Sequence, residues 1–131
     1  MRKVLGAVCL LLLLTGCGGA TASAPASTTP SQTKIWTARH ACDLDGSAYA
    51  PLGDSTHTIT MQGAPQYSSA GLTWDQQQCV LGKVGAPDSV TGEMLQTRAL
   101  DGMQKGSWDG FSASWTYHPD HGLEIILTES R

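Results

Sequence analysis

GSWDGFSASWTYHPDHGLEIILTE, residues 106–129, decides the architecture. Asp109-Gly110 stands between Trp108 and Phe111, and Asp-Gly between alternating segments marks a two-residue hairpin turn. The preferred form of that turn places both central residues at φ > 0. Phe111, Ala113, Trp115 and Tyr117 then share one face, and Ser112, Ser114, Thr116 and His118 the other. Pro119-Asp120-His121-Gly122 makes a second turn: proline presets φ, and glycine allows a left-handed or bulged exit. Leu123, Ile125 and Leu127 continue the apolar face. Residues 101–129 therefore predict a three-stranded antiparallel meander with one apolar side that needs a cover.

The cover lies upstream. Thr73-Trp74-Asp75-Gln76 fits a capping box, in which a hydroxyl and an amide reciprocally satisfy N–H groups at a helix start. A helix from Trp74 to about Lys83 follows, stopped by Gly85 and Pro87. Asp88 or Ser89 can cap a second helix to about Thr97, with Val90, Met94 and Leu95 at helical spacing. Further upstream, residues 55–62 alternate, with His57, Ile59 and Met61 opposite Thr56, Thr58 and Thr60, which predicts another strand. His40 to Asp54 reads as turn-rich. The expected fold class is α+β: a two-layer sandwich, a helix–loop–helix on an antiparallel sheet of about four strands.

The N-terminus carries an address. Met1-Arg2-Lys3 is basic, and Val4 to Leu14 is apolar and uncharged. Eleven helical residues span roughly 16 Å, about half of a ~30 Å hydrocarbon core, so the run suits a signal peptide and not a membrane-spanning helix. It ends in Leu14-Thr15-Gly16-Cys17, which resembles the bacterial lipobox. The resemblance implies cleavage after Gly16, with 1–16 a signal peptide, and attachment of diacylglycerol to Cys17. Two or three acyl chains would hold the protein firmly, since each buried methylene contributes about 0.8 kcal/mol. Residues 18–34 lack acidic, aromatic and large aliphatic side chains, so they cannot bury enough apolar surface to offset ordering. Residues 17–36 are therefore expected to form a flexible Ser/Thr/Pro/Ala tether reaching roughly 20–25 Å. A single small domain, 37–131, follows.

Removal of the signal peptide would take Cys9 with it, and the lipid would consume Cys17. Cys42 and Cys79 remain, and in an oxidising compartment a disulfide is expected, with free thiols or a metal pair as the alternatives. The loss of Arg2 and Lys3 leaves six basic side chains against eleven acidic ones, a formal charge of −5. That excludes nucleic acid as a natural partner, and leaves membrane attachment to the lipid.

Chemistry-bearing motifs are sparse. His118 and His121 flank Asp120 and are the only grouping that suggests a metal or a small envelope enzyme, yet Pro-Asp-His-Gly suffices as turn chemistry. Asp43-Leu44-Asp45-Gly46 lacks the third acidic position and closing glutamate of a calcium loop. No nucleophile–base set, phosphate loop or paired carboxylate is defensible, and no cofactor or metal is implied. Trp108, with Asp109 and Gly110 at the turn, is the candidate interaction point, because an indole there can anchor a partner. Its alternative is cross-strand packing.

TRALDGMQKGSWDGFSASWTYHPDHGLEIIL, residues 97–127, resembles small secreted lipoproteins of high-GC Gram-positive bacteria. That group shares a lipobox, a Ser/Thr/Pro tether, two cysteines and an aromatic His-Pro-Asp…Gly-Leu hairpin. The resemblance implies the outer face of the cell membrane, but no activity. In outline, helices on an antiparallel sheet are also similar to β-lactamase-inhibitor-like modules, an analogy of fold alone. The expectation is a lipid-anchored, non-enzymatic module presenting one sheet surface to an envelope protein. The alternatives are a small enzyme using His118, Asp120 and His121, or an inhibitor of an extracytoplasmic enzyme if Trp108 projects.

Overall fold

A computed structural model describes residues 32–131. The expected signal peptide, the expected lipidation site Cys17 and most of the expected tether lie outside the described residues. The elements are α1 (Lys34–Ala41), β1 (Leu52–Gly53), β2 (Thr58–Gln62), α2 (Trp74–Lys83), α3 (Asp88–Gln96), β3 (Gln104–Trp108), β4 (Phe111–His118) and β5 (Gly122–Glu129). The five strands form one antiparallel sheet in the order β1-β2-β5-β4-β3. The α+β class and the C-terminal meander are as expected. The sheet has one strand more than anticipated, because the two residues of β1 carry no periodicity to read.

The meander places Phe111, Ala113, Trp115, Ile125 and Leu127 on one buried face, where Ile59 and Met61 of β2 join them. Helical side chains close over that face: Ile35 and Ala38 from α1, Val80 and Leu81 from α2, Met94 from α3. Trp115 is 1% exposed, and its Nε1 donates to Thr97 Oγ1 at 2.9 Å, so the largest core side chain buries no unpaired polar atom.

α2 begins as expected: Gln76 N–H donates to Thr73 Oγ1 (3.3 Å), and Thr73 N–H donates to Gln76 Oε1 (2.9 Å). Its end is a Schellman motif around Gly85. Ala86 N–H bonds to Leu81 O and Gly85 N–H to Gly82 O, with Gly85 at φ +73°. At α3 the cap differs. Pro87 is the N-cap residue, and neither Asp88 nor Ser89 takes that role; both lie in the first turn. Leu95 also departs from its expected place on the covered face and is 59% exposed.

The larger correction is α1. The tether was expected to run to residue 36, yet Thr33 caps a helix by accepting from Trp36 N–H, and Ile35 is fully buried. The folded unit therefore takes in residues 33–36. Thr33 Oγ1 also donates to the carbonyl of Thr56 at 2.6 Å. That contact clamps a left-handed turn, Asp54-Ser55-Thr56, whose φ values are +50°, +55° and +75°. Positive φ is costly for a β-branched residue. Thr33 and the Thr58 hydroxyl, which donates to Asp54 Oδ2 at 2.7 Å, hold the turn from both sides.

The two hairpin turns differ from one another. Trp108 pairs with Phe111 across Asp109-Gly110, but only Gly110 has positive φ (+82°). This is the sign pattern of a type II turn, not the type I′ that the dipeptide favours. At the second turn His121 N–H bonds to His118 O, and Gly122 exits at φ +70°. A Cβ on Gly122 would lie 2.4 Å from Ala64 O, against backbone that cannot yield. Gly122→Ala therefore combines left-handed strain with overpacking and is expected to cost about 2–4 kcal/mol, read as a lower denaturation midpoint.

Candidate functional site

All three helices pack on one face of the sheet, and among the described residues no element covers the other. Register defines that open face row by row. Lys105, Ser114, Ile126 and Thr60 lie across β3, β4, β5 and β2; Ser107, Ser112, Thr128 and Thr58 form the next row; Thr116, Glu124 and Gln62 form a third. Period-two alternation delivers this arrangement directly, since each buried residue of the strands is flanked by residues pointing the other way. A shallow depression of about 450 Å³ runs over β3, β4 and β5, between Lys105, Ser107, Ser112, Ser114, Ile126 and Thr128. The surface is hydroxyl-rich, with Thr58 and Thr128 Oγ1 atoms 3.4 Å apart, and Lys105 is its exposed cation. Such a face can donate and accept hydrogen bonds across a broad area, and it carries no nucleophile–base pair.

Trp108 does not project. By register it shares the inner face with Phe111, their rings stack with centroids 6.0 Å apart, and its Nε1 donates to Val84 O at 3.1 Å. Its indole edge thus joins the hairpin to the end of α2, and the side chain is half-buried. The structure separates the candidate trio: Asp109 and Gly110 are exposed at the tip, while Trp108 turns inward. The cross-strand packing alternative describes Trp108, and an inhibitor reading based on its projection loses its support.

His118, Asp120 and His121 come together at the opposite hairpin. The two imidazole centroids are 5.4 Å apart, and Asp120 N–H donates to His118 Nδ1 at 3.2 Å. His118 Nδ1 and Asp120 Oδ2 are 3.7 Å apart. All three residues are exposed, and among the described residues no group of three His, Cys, Asp or Glu side chains is placed to hold a metal ion. The tip is an open turn and not a cleft.

Cys42 and Cys79 form the expected disulfide, with Cα atoms 6.0 Å apart. Cys42 is the C-cap residue of α1, and Cys79 lies in α2, so the bond fastens the two helices together. Beside it, Asp45 accepts from Arg39 (3.4 Å) and pairs with His40, whose ring stacks on Trp36 at 5.6 Å. This Trp36–His40–Asp45 stack explains the acidic loop as a partner of α1. The i, i+4 spacing of Trp36 and His40 is its sequence signal, and only a recognised α1 makes that signal legible. Gln77 is a second residue that sequence reasoning passed over. It is 1% exposed, and it is the polar member of an otherwise apolar stripe with Trp74, Val80 and Leu81.

Among the described residues, no helix is long and apolar enough to cross a membrane. No protein-family model, no curated protein and no solved structure matches the chain, so its functional reading rests on its own residues.

Proposed function

We propose that this chain is a lipid-anchored extracytoplasmic lipoprotein whose folded domain is a non-enzymatic binding module, and that an envelope protein is its partner on the open sheet face. The observation that carries the reading is the asymmetry of the sheet. One face is sealed by three helices; the other presents Ser107, Ser112, Ser114, Thr116 and Thr128 to the surroundings. The signal-peptide pattern, the lipobox-like Leu14-Thr15-Gly16-Cys17 and the lipoprotein resemblance support the anchor. The Cys42–Cys79 bond suits an oxidising compartment. An acidic chain with a largely uncharged hydroxyl face favours a protein surface over nucleic acid. The exposed, open turn at His118–His121, which forms no cleft around the cluster, counts against the enzyme alternative.

Two measurements test the two halves separately. Cys17→Ala is expected to abolish lipid labelling and to shift the protein from the membrane fraction; normal labelling of that variant contradicts the anchor. Affinity capture after cross-linking in intact cells tests the face. Ser114→Arg, which places a bulky charge on the open side, is expected to lose one recurrent partner that Thr91→Arg, on α3, retains. Equal recovery from both variants contradicts the surface assignment.

A further inference from the structure

The sheet ends in two edges, and their backbones are in different states. On the β2 side the bonding groups are taken. Thr60 N–H donates to Pro51 O at 3.1 Å, Gln62 N–H donates to Tyr49 O at 2.9 Å, and β1 pairs with Thr58 and Ile59. On the other side stands β3, five residues long. Its closing pair, Trp108 with Phe111 across a two-residue turn, is a hydrogen-bonded pair, so Gly106 and Gln104 also bond inward to β4. Alternation then turns the N–H and C=O of Lys105 and Ser107 away from β4. Among the described residues none of these four groups has a partner.

Proteins commonly blunt such an edge with proline, a bulge or charge. β3 has no proline, its register with β4 runs without a bulge, and Lys105 is its one charged residue. Lys105 and Ser107 are exposed on the open face, and among the described residues no carboxylate pairs with Lys105. Just before the strand, Leu100 and Met103 are 98% and 61% exposed. The edge thus offers unpaired backbone, an unmatched cation and, at its start, apolar side chains.

These features select the occupant. Outward N–H and C=O groups at alternate residues fit an extended chain, which can continue the ladder. Lys105 calls for a carboxylate directly opposite, since opposite charges stabilise a cross-strand pair and like charges oppose it. A second copy of β3 would bring another lysine and no acid. We propose that β3 accepts an extended segment of the envelope partner as a sixth, antiparallel strand, with an acidic residue opposite Lys105 and an apolar one opposite Met103. The inference rests on the sheet-face reading and gives it a mode of attachment, because the added strand prolongs the rows that contain Lys105 and Ser107.

The probe is the capped peptide Thr-Val-Glu-Val-Leu, titrated into the isotope-labelled full chain in detergent micelles and followed by amide NMR shifts and hydrogen exchange. Saturable shifts and slowed exchange are expected at Lys105 and Ser107, whereas the Gly106 and Trp108 amides are already held by β4. Lysine in place of the peptide's glutamate is expected to weaken binding about fivefold, and Lys105→Glu to reverse that preference. Ser107→Pro removes an outward donor without touching a bond to β4, so it is expected to abolish the added protection while thermal melting stays unchanged. No saturable shift at Lys105 and Ser107 overturns the docking edge, and equal binding of the two peptides overturns the acidic assignment. Protection that rises with chain concentration in the absence of peptide identifies a second copy as the occupant and overturns the assigned partner. The sheet-face reading fails by a different result, undiminished cellular capture by Ser114→Arg. Capture lost in Ser114→Arg but kept in Ser107→Pro retains the face and overturns strand addition alone.

Discussion

Loss of the Cys42–Cys79 bond, by the paired change Cys42→Ser and Cys79→Ser, is expected to destabilise the domain by about 4 kcal/mol. The bond closes a segment of 37 residues in sequence separation, which contains β1, β2 and the first half of α2. In the unfolded chain that closure removes conformational freedom, and the folded state already has the two helices side by side. For a domain of this size each kilocalorie moves the melting temperature by several degrees, so a fall of roughly 15–30 °C is predicted. Circular dichroism melting of the wild type with and without reductant checks it: the reduced wild type should melt with the paired serine variant. Coincident melting of oxidised and reduced wild type contradicts the account.

Trp115→Ala is expected to cost about 3–5 kcal/mol, in the range for deleting a large buried aromatic side chain. The neighbours cannot collapse into the space. Gly106 has no side chain to contribute, and a Cβ built there would already sit 3.3 Å from both Trp115 Cζ3 and Val90 Cγ1. The change also removes the donor to Thr97 Oγ1. Trp108→Ala serves as the internal comparison. Its side chain is half-buried and its indole bonds only one loop carbonyl, so it should cost clearly less. Urea denaturation is expected to show a large drop in midpoint for Trp115→Ala with little change in slope. A greater loss for Trp108→Ala would contradict the placement of the two indoles.

What could be read from residues alone follows the strength of local rules. The capping box at Thr73, the stop at Gly85 and the alternation through β4 and β5 are short-range signals that the packed structure repeats. α1 escaped notice because its cap, Thr33, closes a Ser/Thr/Pro-rich run, and only Ile35 and Ala38 of its eight residues are buried. β1 is too short to alternate. The Asp109-Gly110 turn was recognisable, but its φ signs were not, since tertiary packing of Trp108 on Phe111 and Val84 decides which turn geometry closes the hairpin. The same packing decides that Trp108 faces inward, a choice its polar sequence neighbours do not reveal. For the candidate site, the alternating serines of β4 were legible as a second face. Their union with Lys105 and Thr128 required the strand register, and Gln77 required knowing which side of α2 meets the sheet end.

The central claim is that the uncovered sheet face meets an envelope protein while the chain is held at the membrane. Site-specific photo-cross-linking in intact cells tests this most directly, with the photoreactive residue placed at Ser114 on the open face or at Thr91 on α3. A discrete adduct from Ser114, absent from Thr91 and diminished by Cys17→Ala, is the predicted result. Adducts from Thr91 but not Ser114, or the same adduct from both, would contradict it.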